Sequence, residues 1–291
     1  MPLQPETRFA RTAGGAIGYQ VWGAGPRDLL YITNWGTNVD VMWEEPQASR
    51  YLDHLGTFTR VVFFDTRGSG TSDSVPLAAP MTVEAWMDDA LVAADAAGTG
   101  PLVVLGDTEG GPMAMLFCAT YPDRVSALVL VNSFARFVRA EDYRFGVPAA
   151  LGTILADKYE EHWGSGDLLT ISAPSVADDP RFKRWYARYE RLSMPPLQAG
   201  TMYRWVQRFD VRAILPSIQA PTLIVQRRDN RFYRRVYGQF LAKSIAGATY
   251  IELPGADCHP FFVNAEDVLD EVEAFITGTR AHQRTDQQFC P

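Results

Sequence analysis

The sequence predicts an α/β fold, a mostly parallel sheet flanked by helices and broken by one helical insertion. Three observations carry that expectation. Short apolar runs without polar alternation recur at Leu29 to Ile32, Val61 to Phe64, Leu102 to Leu105, Leu128 to Val131 and Thr222 to Val225. Strands buried on both faces of a parallel sheet read this way. Helix-like segments separate these runs, which implies right-handed crossovers. From Phe134 to about Phe209 the alternation stops, then resumes.

Taken in order, Arg8 to Gly23 alternates about Gly14-Gly15 and ends in Tyr19-Gln20-Val21-Trp22, the pattern of a β-hairpin. Val83 to Ala97 follows Thr82, a good N-cap, and stops at Gly98, so it reads as a helix. Gly111 to Tyr121 reads as a second. The irregular stretch is rich in aromatic and Arg residues, among them Trp185, Tyr186, Tyr189 and Tyr203, and is interrupted by Pro174, Pro180, Pro195 and Pro196. It reads as several short helices inserted into the fold. A further strand follows at Ala248 to Leu253. The amphipathic segment Ala265 to Thr277 closes the fold, with Val268, Leu269, Val272, Phe275 and Ile276 at helical spacing. The expected organisation is therefore a core in two parts (1–133 and 210–278), a helical cap (134–209) and a polar, frayed tail (279–291).

Composition narrows the function. Apolar residues are 47% and charged residues 21% of the 291, which fits a globular domain and excludes disorder. The net charge of −7, with no basic block, argues against a nucleic-acid partner. No apolar run approaches a membrane span, and Met1-Pro2-Leu3-Gln4-Pro5-Glu6 does not read as a signal peptide. Cys118, Cys258 and Cys290 are too few and scattered for a disulfide framework or a four-thiolate zinc site. The expectation is a cytoplasmic protein without metal; the oligomeric state stays open, a homodimer included.

The most informative segment is Val103-Val104-Leu105-Gly106-Asp107-Thr108-Glu109-Gly110-Gly111-Pro112. A buried strand runs into a glycine-bracketed turn and directly into a helix, as in a nucleophile elbow. Such a turn presents its central side chain at a helix N-terminus, where backbone N–H groups can stabilise an oxyanion. The turn lacks the Gly-x-Gly-x-x-Gly form, so neither nicotinamide nor flavin is expected and no cofactor is assigned.

With this turn the chain resembles the α/β-hydrolase superfamily, and within it the branch related to adenylate/guanylate cyclase-linked hydrolases. The resemblance also rests on Val39-Asp40-Val41-Met42-Trp43-Glu44-Glu45-Pro46, on Arg60 through Asp73, on Tyr121-Pro122-Asp123-Arg124-Val125 and on Leu253-Pro254-Gly255-Ala256-Asp257. It implies the α/β-hydrolase fold over nearly the whole chain. It also implies a serine, an acid and a histidine at three places where this chain differs. Thr108 stands in the serine slot and Asn230 in the acid slot after the seventh strand, while Asn132 holds the other place used for that acid. Laid without gaps, Gly255-Ala256-Asp257-Cys258-His259-Pro260 puts Cys258 in the histidine slot, with His259 one place later.

Each departure has a chemical cost. The methyl group of threonine crowds a site shaped for serine. Asparagine cannot stabilise an imidazolium as a carboxylate does, and its loss of charge in a triad costs on the order of 10⁴ in turnover. Cysteine is no neutral-pH proton shuttle unless its pKa is displaced. The leading expectation is therefore an enzyme with a degenerate triad that binds an apolar small molecule of secondary-metabolite type and promotes cyclisation, elimination or isomerisation. The alternatives are an esterase or lactonase using Thr108 and His259, with Asp229 or Asp257 as orienting acid, and a non-catalytic sensor or scaffold. Catalytic candidates are Thr108, Asn230, Cys258, His259 and Asp107. The oxyanion and pocket candidates are Asn34, Trp35, Glu109, Phe134, Phe137, Tyr143, Trp163 and Trp205, with Thr37 and Asn38 weaker.

Overall fold

The computed structural model describes residues 4–12, 14–78 and 80–279. The alternating segment at the start forms two antiparallel strands, β1 (Arg8–Thr12) and β2 (Gly15–Trp22), paired so that Arg8 faces Tyr19 and Thr12 faces Gly15. The continuous apolar runs become β3 (Asp28–Ile32), β4 (Arg60–Phe64), β5 (Leu102–Asp107), β6 (Val125–Val131), β7 (Thr222–Arg227) and β8 (Thr249–Leu253). They assemble one eight-stranded sheet in the order β1-β2-β4-β3-β5-β6-β7-β8. Pairing is parallel from β4 through β3, β5, β6 and β7 to β8, and antiparallel only at β1-β2 and β2-β4. Every residue of β5 and β7 is buried, the physical reason those segments carry no polar alternation.

Five helices pack on this sheet. α1 (Pro46–Phe58) lies against α9 (Ala265–Thr277), and α2 (Val83–Ala96) lies against α3 (Gly110–Thr120). α8 (Arg235–Ser244) covers β7 and β8. Thr82 caps α2 by accepting from the Ala85 N–H at 3.2 Å, and Gly278 ends α9 in the left-handed region at φ 76°. α1 and α8 are the elements that the sequence reading did not resolve. The tail expected from 279 onward lies, beyond Thr279, outside the described residues, as does Cys290.

Four helices lie between β6 and β7 among the described residues: α4 (Ala149–His162), α5 (Leu169–Ser172), α6 (Pro180–Ser193) and α7 (Pro196–Val206). Three of these are longer than expected. The prolines that were read as interruptions stand at helix starts instead: Pro180 and Pro196 open α6 and α7, and Pro195 caps α7. A proline at the first helical position gives up an N–H that has no partner there in any case. Among the described residues no helix is long and apolar enough to cross a membrane.

Glu190 of α6 ties these helices together. One carboxyl oxygen accepts from the Gly164 and Gly166 N–H groups at 2.9 and 3.0 Å, and the other is buried without a hydrogen-bond partner. Burial pushes its pKa from the ordinary 4.5 up to about 7. The folded protein therefore holds a proton that the unfolded chain has released over this range, so the Glu190 contribution is complete below about 4.5 and is lost as pH rises through about 7. Urea unfolding of wild type and Glu190→Gln at about pH 5 and about pH 8 should show the smaller decline in the variant. Equal declines would contradict this reading.

Candidate active site

The elbow is built by close approach. Thr108 sits at φ 46°, a conformation that a β-branched residue adopts only where its surroundings enforce it. Its backbone is held by Thr108 N–H to the Val131 carbonyl at 3.0 Å and by the Ser133 hydroxyl donating to the Thr108 carbonyl at 3.0 Å. Gly110 is required next to it, since a Cβ there would lie 2.2 Å from the Ile32 carbonyl oxygen. The turn thus presses the start of α3 against the end of β3.

Asp107 is the hub of the site. Its carboxyl is fully buried at the end of β5 and gathers groups from three segments. The Tyr31 hydroxyl donates to Oδ2 at 2.8 Å and the Thr33 hydroxyl to Oδ1 at 2.6 Å. The Thr108 hydroxyl donates to Oδ1 at 3.3 Å, and His259 Nδ1 stands 3.8 Å from Oδ2. Sheet register explains the first two. Ile32 pairs with Gly106, so Tyr31 and Thr33, on the same strand face, flank the place where Asp107 emerges. Burial first, and the Asp107 charge second, hold the Tyr31 hydroxyl far above its usual range, so it stays a donor.

His259 is placed by a loop that two asparagines hold. Asn132, at the end of β6 with φ 49°, donates to the Cys258 carbonyl at 2.7 Å and accepts from the Arg227 N–H at 2.7 Å. Asn230 donates to the Asp257 carbonyl at 3.1 Å while its oxygen accepts from the Phe232 and Tyr233 N–H groups. Both places that a catalytic acid could occupy are therefore spent on backbone hydrogen bonds. That corrects the assignment of Asn230 as a catalytic residue. Neither expected orienting acid meets the imidazole. Asp229 is exposed beside Arg228, and the Asp257 carboxyl is held by the Ser175 hydroxyl and N–H. Asp107 Oδ2 stands 3.8 Å from His259 Nδ1, which is buried without a hydrogen-bond partner, and Asn34 Nδ2 lies 3.4 Å from His259 Nε2.

Cys258 and His259 both line the pocket above the elbow. The Cys258 thiol donates to the Ile171 carbonyl at 3.4 Å, and burial raises its pKa well above the usual thiol range. Burial thus favours the neutral thiol, the opposite of the displacement that a catalytic role for Cys258 requires. The pocket is small, about 20 Å³, roughly the room that one water needs. Asn34, Trp35, Glu109 and Trp163 line it, joined by Tyr159, Tyr186, Tyr189, Phe232 and Tyr233. Burial raises the pKa of Glu109, against the pull of the Tyr233 side chain, His259 and the Thr108 side chain. Thr108 is fully buried and does not itself form the wall, so a substrate must part the rings to reach it.

Phe134, Phe137, Tyr143 and Trp205 do not line this pocket, a correction to their expected role. Phe134 stacks on Tyr233 at 5.7 Å, Phe137 joins Phe232 and Tyr237, Tyr143 packs on Phe145 at 4.0 Å, and Trp205 is buried in α7. Phe134 and Phe137 thus support the wall rings Tyr233 and Phe232 from behind. Thr37 and Asn38 are engaged elsewhere: the Thr37 hydroxyl meets that of Ser69 at 3.4 Å, and Asn38 bonds the Leu192 carbonyl and the N–H groups of Asp40 and Val41. Among the described residues no cluster of three or more His, Cys, Asp or Glu is placed to hold a metal ion. Sequence reasoning missed Tyr31, Thr33 and the structural use of Asn132. The signal for the first two was their spacing of two at the end of a strand beside the elbow.

Compared with known proteins, residues 33–272 match the alpha/beta hydrolase family. The chain belongs to that family. Its fold is the α/β-hydrolase fold, here an eight-stranded, mostly parallel sheet flanked by helices. A pimeloyl-(acyl-carrier protein) methyl ester esterase of Neisseria meningitidis is 28% identical over 87% of this chain and 94% of its own length. The like-named esterase of Stenotrophomonas maltophilia is 26% identical over 89% and 96%. Among solved structures, the enol-lactonase from Burkholderia xenovorans superposes with a TM-score of 0.76 at 22% identity, over 93% of this chain and all of that one. This last likeness speaks to the fold alone.

These relatives overturn the leading functional expectation. Cyclisation, elimination or isomerisation was inferred from three altered slots, but relatives spanning most of the chain carry the names of ester hydrolases. The slot argument took each slot singly and, although Asp107 stood among the candidates, gave it no part in a triad; it lies outside all three slots, beside both the elbow hydroxyl and an imidazole.

Entry to the hydrolase pocket is visible in its walls. A second cavity of about 690 Å³, lined by Thr170, Pro174, Asp229, Arg231 and Ala256, shares Ile171 and Phe232 with the inner pocket. These two side chains form the partition. Phe232→Ala should join the cavities and raise acrylamide quenching of the tryptophan fluorescence, because Trp35 and Trp163 line the same inner pocket. Quenching equal to wild type would place the entrance elsewhere.

Proposed function

We propose that this alpha/beta hydrolase cleaves a small carboxylic ester or lactone whose surface is mostly apolar, with Thr108 as nucleophile, His259 as base and Asp107 as the acid that orients the imidazole. The observation that carries this reading is the position of Asp107 between the Thr108 hydroxyl at 3.3 Å and His259 Nδ1 at 3.8 Å. The names of the relatives favour the same class of reaction.

In the first step the Thr108 oxygen bonds to the acyl carbon while its proton passes to His259 Nε2, the nitrogen that faces Asn34 in the resting pocket. Asp107 stabilises the imidazolium through Nδ1 without taking the proton itself. The backbone N–H of Glu109, with those of the Asn34–Trp35 segment, faces the developing oxyanion. The alkoxide leaves with the imidazolium proton. Water then attacks the threonyl ester, gives its proton to His259, and the acid departs as Thr108 recovers its hydroxyl proton. The aromatic walls suit an apolar acyl or alkyl group and keep bulk water out.

Short p-nitrophenyl esters test this. Thr108→Ala should lose on the order of 10³-fold or more in kcat/KM, and Thr108→Ser should retain turnover, since it keeps the hydroxyl and sheds only the crowding methyl. Full activity in Thr108→Ala would overturn the nucleophile assignment.

A further inference from the structure

Glu109 has no arginine or lysine beside it in the pocket. The walls are Trp35, Tyr159, Trp163, Tyr186, Tyr189, Phe232 and Tyr233, with His259 and Cys258 at one side, and Glu109 is the single carboxyl among them. The rings come from four directions: Trp35 from the loop after β3, Tyr159 and Trp163 from α4 and its end, Tyr186 and Tyr189 from α6, and Phe232 and Tyr233 from the loop after β7. They support one another. Trp35 stacks on Trp163 at 5.5 Å and 24°, Tyr186 stacks on Tyr189 at 5.9 Å and 26°, and Phe232 meets Tyr233 edge-on at 4.8 Å.

Ring faces carry negative potential and attract a cation when water is kept away. A buried carboxyl adds a full countercharge. A box with many rings and one carboxyl, whose one basic group is the His259 imidazole, gives an anionic substrate no arginine or lysine to pair with. It suits a group that is positive yet apolar on its surface, which describes an alkylated ammonium. Resting on the hydrolase reading above and narrowing its substrate class, we infer that the pocket recognises an alkylammonium group of the ester, held by Glu109 and the surrounding rings.

Burial of Glu109 fits this inference, because its carboxyl is held above its usual pKa until a partner arrives. Four hydroxyls that feel its charge, those of Tyr159, Tyr186, Tyr203 and Tyr233, have their pKa raised first by burial and then by neighbouring charges, so they remain neutral and Glu109 is the one carboxyl that can pair with the cation. The tightness of the pocket, about 20 Å³, means that the ligand enters by displacing Ile171 and Phe232 from the partition.

The test uses tetramethylammonium chloride and, as an uncharged match in size, tert-butanol, each titrated calorimetrically into the full chain at constant ionic strength. The cation should bind at least about tenfold more tightly than the alcohol, and Glu109→Gln should weaken it at least about tenfold. Trp163→Leu should weaken it as well, which keeps the test open if Glu109→Gln melts early. No binding of the cation, or equal affinity for the two probes, would overturn the inference. Neither probe holds an ester bond, so the result stands apart from hydrolysis. Cation binding without ester turnover would sink the hydrolase reading and leave the site, whereas turnover of neutral esters without cation binding would do the reverse.

Discussion

The site depends on a single buried carboxyl. Asp107 ends the most buried strand of the sheet, with no exposure, and a charge placed there needs every lone pair met. Two hydroxyls from β3 and its continuation and one from the elbow supply those contacts, with His259 Nδ1 standing 3.8 Å away. In the function proposed above, these neighbours of Asp107 are also what sets nucleophile and base in one arrangement. A substrate has to disturb the rings above it but not the hub below.

The two asparagines make that arrangement possible. With a carboxylate at position 132 or 230, the amide donors that now bond the Cys258 and Asp257 carbonyls would be missing. The loop carrying His259 would then lose two anchors, each worth about 1 kcal/mol as an ordinary hydrogen bond and more if a buried carbonyl is left bare. In the proposed triad the acid is Asp107, which leaves both positions to this structural use. The one-residue offset of His259 fits the same logic, since the ring approaches Asp107 from the side of the elbow and stacks on Phe261 at 5.1 Å. Changes that look like losses when taken one at a time are mutually compatible when taken together.

Much of the fold was legible because burial on both faces leaves a plain mark, as in Leu102 to Leu105 and Thr222 to Val225, and because Thr82 and Gly278 mark helix ends directly. The elbow was legible from its glycines. The helices of the insertion were less so, because Pro180, Pro195 and Pro196 break a sequence pattern while starting a real helix. Within the site, Asp107, Thr108, His259, Glu109, Asn34, Trp35 and Trp163 could be named from sequence, but their grouping could not. Which acid faces His259 is decided by contacts between β5, β6 and the loop after β8, residues far apart along the chain. Phe134, Phe137 and Tyr143 share the composition of the pocket walls, and only packing separates a ring in the wall from a ring behind it.

The role given to Asp107 is best tested by the turnover of a short neutral ester by Asp107→Asn, with the melting temperature followed alongside. Asparagine keeps the shape, its one oxygen accepts from one of Tyr31 and Thr33 while its amide N–H2 faces the other hydroxyl, and it carries no charge for an imidazolium. The expected result is a folded protein whose kcat falls by about 10³–10⁴. A folded variant with wild-type kcat would contradict the account, since the imidazole would then be working without the carboxylate.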